Sequence, residues 1–331
     1  MYTDEDLEYA VSKGVFTSKS VEDFRDLLAE SRESPLVDEE NFKLLSGFND
    51  IFVVIACILL LVSVGWAASA ADELLSHILV PITAWGLAEF FVRVRKMALP
   101  AILLLLTFVG GIFSLFMQLL GGDSETTIAL SGGAATIAAV LHWVRFKVPI
   151  TVAAGVATLV SFIVAGLFSA FPEAIDWLQW AFFVCGIATF MFAMRWDMAD
   201  RKRVSHRSDV AFWLHLLSAP MIVHPVFTSL GILQGEETLA GMVIVCLLYG
   251  VMTLISIAVD RRAFMVSSLA YVLYALSGLF ENYGMVGYNF AATGIVIGSA
   301  LLLLSAFWHS VRAKLVGVLP TGLHQMLPAT S

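Results

Sequence analysis

The sequence predicts an all-α integral membrane protein, a bundle of ten transmembrane helices. Of the 331 residues, 59% are hydrophobic and only 14% are charged, whereas soluble domains carry about 25% charged residues. The mean hydropathy is +0.86. Nearly everything after Asp50 falls into apolar stretches of about 20 residues, the length of a helix that crosses a hydrocarbon core roughly 30 Å thick. These observations exclude a soluble enzyme.

The predicted spans follow a polar segment and are separated by short loops. In chain order they cover residues 51–71, 74–92, 98–120, 126–144, 148–170, 177–194, 210–233, 239–259, 264–280 and 289–311. The chain is thereby divided into a soluble segment (1–49), a transmembrane domain (50–311) and a tail (312–331).

The basic residues predict the orientation of the chain. All 19 lysines and arginines fall in the N-terminal segment, in the tail or in every second loop. The intervening loops carry acids such as Asp72, Glu125 and Glu236. Because cytoplasmic loops collect Lys and Arg, both termini are predicted to be cytoplasmic, and the bacterial inner membrane is the predicted location.

The N-terminal segment is predicted to form short helices. Leu7, Ala10 and Val11 give one apolar face, and Gly14 is placed to end the first helix. Such a small apolar surface cannot form a core of its own. We therefore expect the helices of residues 1–49 to dock onto each other, onto the cytoplasmic loops or onto a protein partner.

Two stretches carry a resemblance to a known group of proteins. Residues 10–17 (AVSKGVFT), with ENF at 40–42 and GFND at 47–50, resemble the start of a group of uncharacterised multi-pass bacterial membrane proteins. Residues 208–215 (SDVAFWLH), through the His-Pro pair at 224–225, are similar to such proteins as well. The resemblance implies a multi-pass topology and no particular activity.

Ten helices divide into two sets of five, and an odd number per set inverts the second half relative to the first, as in many secondary transporters. The second helix of each half contains proline, at Pro81 and at Pro220 with Pro225. We expect both helices to be interrupted there, and such paired interruptions point to a binding site near the bilayer midplane. The ten-helix size with short loops is also similar to the drug and metabolite transporter superfamily.

The seventh span carries the strongest candidate for a functional polar group. His224 lies near the bilayer centre, where a histidine is rare and faces protein or water. A helical periodicity of 100° per residue places Pro220 and His224 on one face and His215 on another. His224 either binds a proton or ligand, or it makes a structural hydrogen bond. The partner of that bond is a carbonyl that a proline leaves without its donor, or a group on a neighbouring helix.

In the second span, His77, Trp85 and Glu89 are separated by multiples of four residues and share a helical face. Glu89 is the one acid inside a predicted span. It either pairs with Arg93 one turn later or lines an inward cavity as a proton-exchanging carboxylate. A contact with His142 of the fourth span would favour the second interpretation.

The ninth span carries a stripe of polar residues that includes Tyr271, Tyr274 and Glu281. Such stripes usually mark close helix packing. Two tyrosines leading to an acid also fit a vestibule that opens outward and attracts cations. At the start of this span Asp260 precedes Arg261 and Arg262, so we expect a salt bridge within that turn.

The sequence contains no phosphate-binding loop, HExxH, GxSxG or paired-cysteine motif, so we predict no metal, no cofactor and no nucleic-acid partner. The leading hypothesis is a secondary transporter of a small solute or ion, with proton coupling as one form, whose site lies between the second and seventh spans. The competing hypothesis is a scaffold, assembly factor or sensor that acts through residues 1–49. An intramembrane enzyme ranks third. Membrane lipids are expected partners in every case.

Overall fold

The chain is all-helical in the part that the structure describes. The computed structural model describes residues 4–21, 23–24, 48–201, 205–229, 239–282, 289–320 and 327. Helices account for 89% of the structure, with no strand among these residues. The chain divides into two compact units, Met1–Asn41 with Thr330–Ser331, and Phe42–Ala329.

The first unit contains α1 (Asp4–Ser12). Gly14 follows with a φ of +72°, a left-handed conformation that glycine adopts without strain, so the predicted helix end at Gly14 is confirmed. The next helical turn is capped by reciprocal bonds: the backbone N–H of Thr17 donates to Ser20 Oγ at 2.9 Å, and that of Ser20 donates to Thr17 Oγ1 at 3.1 Å. Tyr9, Val15 and Phe16 are exposed on this unit.

In the second unit, seven helices among the described residues are long and apolar enough to cross a membrane. The chain is thus a multi-pass membrane protein by helix length and composition. These helices are α2 (Phe48–Ser69), α3 (Glu73–Ala88), α4 (Ala98–Leu120), α5 (Glu125–Phe146), α6 (Ile150–Ala170), α7 (Leu178–Ala199) and α8 (His206–Ser229). A π-helical segment, Glu89–Val94, extends α3, and a 3-10 helix, Pro172–Trp177, precedes α7.

Three further helices follow: α9 (Leu239–Val259), α10 (Ala263–Asn282) and α11 (Asn289–Val318). Their described side chains form shorter apolar stretches, at Val243–Val259 and Ala263–Leu273 in α9 and α10. The count of ten spans and the orientation of the chain therefore stay predictions.

Several helices extend beyond the predicted spans. α7 continues past residue 194 to Ala199, α8 begins at His206 rather than at 210, and α11 continues past 311 to Val318. The sequence boundaries were set at the first charged residues, but Asp197 and Arg312 lie inside helices and are only 1% and 2% exposed. Charged partners within the protein allow these helices to continue.

The predicted interruptions at proline are wrong. α3 runs through Pro81, and α8 runs through Pro220 and Pro225, because neighbouring helices let a transmembrane helix tolerate proline. Pro81 packs against Gly111 of α4, where an added Cβ would lie 3.1 Å from the proline ring. Glycine is thus what lets α4 approach the proline of α3.

From α2 to α8 each helix packs against the next, as do α9 with α10 and α10 with α11, and α8 also packs against α6 and α10. The α7–α8 contact is especially close: a Cβ on Gly186 would lie 2.9 Å from the side chains of Met221 and Ile222. Phe227 and Phe264 belong to the apolar core that joins α8, α9 and α10. This packing brings the end of α7, the first half of α8 and the start of α10 together.

Candidate functional site

A buried ionic network joins α7, α8 and the turn between α9 and α10. Asp197 accepts hydrogen bonds from His215 (Nε2 to Oδ2, 2.8 Å) and from Arg261 (Nη2 to Oδ1, 2.7 Å). A carboxylate can only accept, so the Nε2 atom of His215 carries the proton. The three residues are 1%, 0% and 2% exposed. We call Asp197, His215 and Arg261 the Asp197 network.

The network is enclosed by further contacts. Arg261 Nη2 donates to the carbonyl oxygen of Ser208 at 3.1 Å and to its Oγ at 3.2 Å, and its guanidinium lies 6.0 Å from the ring centroid of Phe212. Phe190 and Phe264 contact the His215 ring edge-on, at centroid distances of 5.3 and 6.5 Å. Water is therefore excluded from the ion pair in this conformation.

The charges of the network balance only when His215 is neutral. Asp197 and Arg261 then cancel, and the imidazole donates one hydrogen bond to the shared carboxylate. A second proton on His215 would add a net positive charge in a site without solvent, which is costly in a membrane protein.

A polar pair between α8 and α10 lies further along α8. His224 Nδ1 and the Tyr271 hydroxyl are 2.5 Å apart, and Phe227 stacks on the Tyr271 ring at a centroid distance of 4.8 Å. At 1.5 Å per residue, His224 lies about 14 Å further along α8 than His215. The structure therefore brings together His224 and Tyr271, two of the predicted site residues.

The two faces of α8 differ in their exposure, and His215 and His224 lie on different faces, as the helical periodicity predicts. His215 and Ser218 are fully buried, whereas Pro220 and His224 are exposed. On α10, Ser268 is also fully buried between the level of Arg261 and that of Tyr271. Although His224 lies on the exposed face of α8, its ring contacts Tyr271 of α10. We call the Asp197 network, Ser218, Ser268 and the His224–Tyr271 pair together the polar column.

Glu89 is bound by two arginines. Arg145 on α5 donates to both of its carboxylate oxygens, from Nε and from Nη2, each at 2.7 Å. Arg93 lies 3.4 Å away, the predicted pair at i, i+4. A bidentate guanidinium–carboxylate pair has fixed geometry, so the main partner of Glu89 joins α3 to α5.

The other predicted residues of α3 make contacts with α4 and α5. His77 Nδ1 is 2.9 Å from Ser114 Oγ. The Trp85 ring lies 6.0 Å from that of His142, which is fully buried and 3.2 Å from Thr151 Oγ1 through its Nδ1 atom. A contact between Glu89 and His142 is not among those described: Glu89 binds Arg145 of α5, and His142 contacts Thr151 and aromatic rings.

The predicted site residues thus fall into two groups. One lies on α3 with α4 and α5, and the other on α8 with α10; α3 packs mainly on α2 and α4, whereas α8 packs mainly on α7 and α10. The side chains of Tyr274 and Glu281 lie outside the described residues.

Sequence reasoning missed Asp197 and Arg261. Gly186, Thr189, Ala193 and Asp197 are all buried in α7, and their spacing of three or four residues was the signal that could have extended that helix face to the acid. Asp260, for which a salt bridge within the α9–α10 turn is expected, has described contacts with α11. Asp260 Oδ1 accepts a hydrogen bond from the indole Nε1 of Trp308 at 2.7 Å and pairs with Arg312 Nε at 3.7 Å.

Comparison with known proteins finds no protein-family model, no curated protein and no solved structure that matches the chain. Among the described residues, no group of three or more His, Cys, Asp and Glu side chains could hold a metal ion.

Proposed function

We propose that this chain is a proton-coupled secondary transporter of a small solute or ion, with the polar column between α8 and α10 as its pathway. The observation that carries the proposal is the fully buried Asp197 network, in which a histidine shares one carboxylate with an arginine. Ionisable residues inside a membrane domain are costly and commonly mark proton relays or ion pathways.

Ion pairs would hold one end of the bundle closed. They occur at the ends of α3, α5, α7 and α9, which the basic loops predict to face the cytoplasm. The pairs are Glu89–Arg145, Asp197–Arg261 and Asp260–Arg312. Opening toward the cytoplasm then requires these pairs to separate or to move together with their helices.

Protonation of His215 supplies the coupling. The described groups around its ring include Asp197 from α7, Arg261 from the α9–α10 turn, and the rings of Phe190 and Phe264. Asp209 of α8 also interacts electrostatically with Arg261. An added proton disfavours the buried arrangement and favours one in which water reaches the network. Because a ligand shifts a conformational equilibrium by its differential affinity, proton binding would open this end of the column.

The test measures whether water reaches the buried face of α8. Ser218, which is fully buried, is changed to cysteine after Cys57, Cys185 and Cys246 are replaced by alanine. A membrane-impermeant thiol reagent is applied to vesicles of both orientations at several pH values. We expect Ser218→Cys to react, and to react faster at low pH relative to a reference cysteine.

The reference is Asp123→Cys, at an exposed loop position, because its rate corrects for the intrinsic pH dependence of thiol chemistry. Leu104→Cys, fully buried in the core of α2, α3 and α4, is the control that should stay unreactive. Adding His215→Gln should abolish the relative pH dependence. Absence of labelling at Ser218→Cys while Asp123→Cys reacts would refute the transporter proposal.

One observation favours the alternative of a scaffold or sensor. The N-terminal residues form a compact unit of their own, on which Tyr9 and Val15 are 66% and 69% exposed. Aromatic and apolar side chains exposed together favour contact with a protein partner. A photo-crosslinking residue at Tyr9 should then capture one defined partner in intact cells, whereas the same residue at Lys13 should capture less of it.

A further inference from the structure

An apolar groove separates α10 from α11 beside the α9–α10 turn. Its volume is about 210 Å³, and Arg262, Met265, Leu269, Leu304 and Trp308 are among the residues that line it. Met265 and Leu269 lie three and seven residues after Arg262, so they continue along one face of α10. The groove therefore has an arginine at one end and an apolar wall that extends along the helix.

The charged end of the groove is held in place by Trp308. The Arg262 guanidinium lies 5.2 Å from the centroid of the Trp308 ring. Trp308 is only 3% exposed, and its indole N–H donates to Asp260 Oδ1 at 2.7 Å. Tryptophan and arginine side by side at the end of a transmembrane helix are typical of the membrane–water interface. The arginine thus lies at the expected depth of lipid headgroups.

We infer that this groove binds an anionic phospholipid, with the phosphate at Arg262 and an acyl chain along Met265 and Leu269. The combination of an interfacial cation and an apolar wall matches both parts of such a lipid. Basic pockets between transmembrane helices on the cytoplasmic side are known to bind anionic headgroups. A free phosphate would use only the cation and would leave the apolar wall without a partner.

The experiment uses the full chain, purified in detergent, and measures by native mass spectrometry how much phosphatidylglycerol and phosphatidylcholine it retains from an equimolar mixture. The wild type should retain phosphatidylglycerol preferentially. Arg262→Gln should reduce this preference about fivefold, the effect of one basic group at a membrane surface. Arg262→Lys, which keeps the charge, should retain most of it.

Two further variants separate the groove from general effects of charge and folding. Lys314→Gln removes an exposed lysine of α11 that does not line the groove and should leave the preference unchanged. Ser305→Trp fills the groove and leaves Arg262 in place, and it should lower retention of both lipids. This variant tests the groove even if Arg262→Gln does not fold.

Equal retention of the two lipids by the wild type would overturn the inference. So would an equal loss of preference in Lys314→Gln, or unchanged retention in Ser305→Trp. Displacement of the phosphatidylglycerol by excess inorganic phosphate would identify a site for free phosphate instead of lipid. Persistence of the lipid in excess phosphate supports the inference.

Discussion

Asp197→Asn tests the energetic role of the buried network directly. The substitution preserves the shape of the side chain and removes its charge, so Arg261 keeps a positive charge at 2% exposure without the carboxylate with which it is paired. Removing one partner of a buried ion pair costs about 3–5 kcal/mol, because the remaining charge is uncompensated. We expect the free energy of unfolding to fall by that amount.

The assay is unfolding of the purified protein by dodecyl sulfate in mixed micelles, followed by far-UV circular dichroism. Arg261→Gln and the double variant with Asp197→Asn complete a double-mutant cycle. Because removal of both charges leaves neither member of this pair uncompensated, the double variant should lose less stability than the two single losses added together. An interaction energy of about 1–3 kcal/mol is expected for groups in direct contact.

Glu89→Gln is the matched control, since it removes a carboxylate that is also bound by arginine. The Glu89 and Arg145 side chains are 32% and 38% exposed, so solvent screens the remaining charge and the loss should be smaller. A loss for Asp197→Asn no larger than that for Glu89→Gln, or energies that simply add in the cycle, would refute the buried network as a coupled unit.

Three further changes test the surrounding structure by the same unfolding assay. Gly186→Ala should cost about 1–3 kcal/mol by overpacking, because its Cβ would meet α8 at 2.9 Å, whereas Gly250→Ala, with nothing within 4 Å, should not destabilise the protein; equal effects would contradict the close α7–α8 contact. Tyr271→Phe should cost about 0.6–1 kcal/mol by removing its bond to His224. In a His224→Ala background the same change should cost almost nothing, and an unchanged cost there would count against the pair.

The membrane helices could largely be predicted from the sequence, because apolar length alone specifies where a helix can lie in a bilayer. The predicted spans agree with most helix bounds, and α4 matches residues 98–120 without change. The ends of the helices were less predictable. In the sequence, a charged residue predicts the end of an apolar span. Asp197 nevertheless lies inside α7, because His215 and Arg261, which are distant in sequence, donate hydrogen bonds to its carboxylate.

The candidate site could be predicted only in part. His215, His224 and Tyr271 were identified as polar groups in apolar helices, and the contact between His224 and Tyr271 depends on the tertiary packing of α8 against α10. Nothing in the local sequence distinguishes Arg261 from Arg262. In the structure the first is buried against Asp197, whereas the second lies over Trp308 at the groove. Two adjacent arginines thus lie in different surroundings, one buried in an ion pair and the other at the groove.

Arginines in this chain act in two ways that the charge distribution alone does not separate. By the positive-inside rule, Arg145, Arg261 and Arg312 all count as loop charges that orient the chain. In the structure each also binds a carboxylate on another helix or turn. A guanidinium suits this second role because it offers several donors in a fixed plane. The end of the bundle that is predicted to face the cytoplasm is therefore also the end at which these arginines join helices, so a change of conformation at that end must rearrange the same residues.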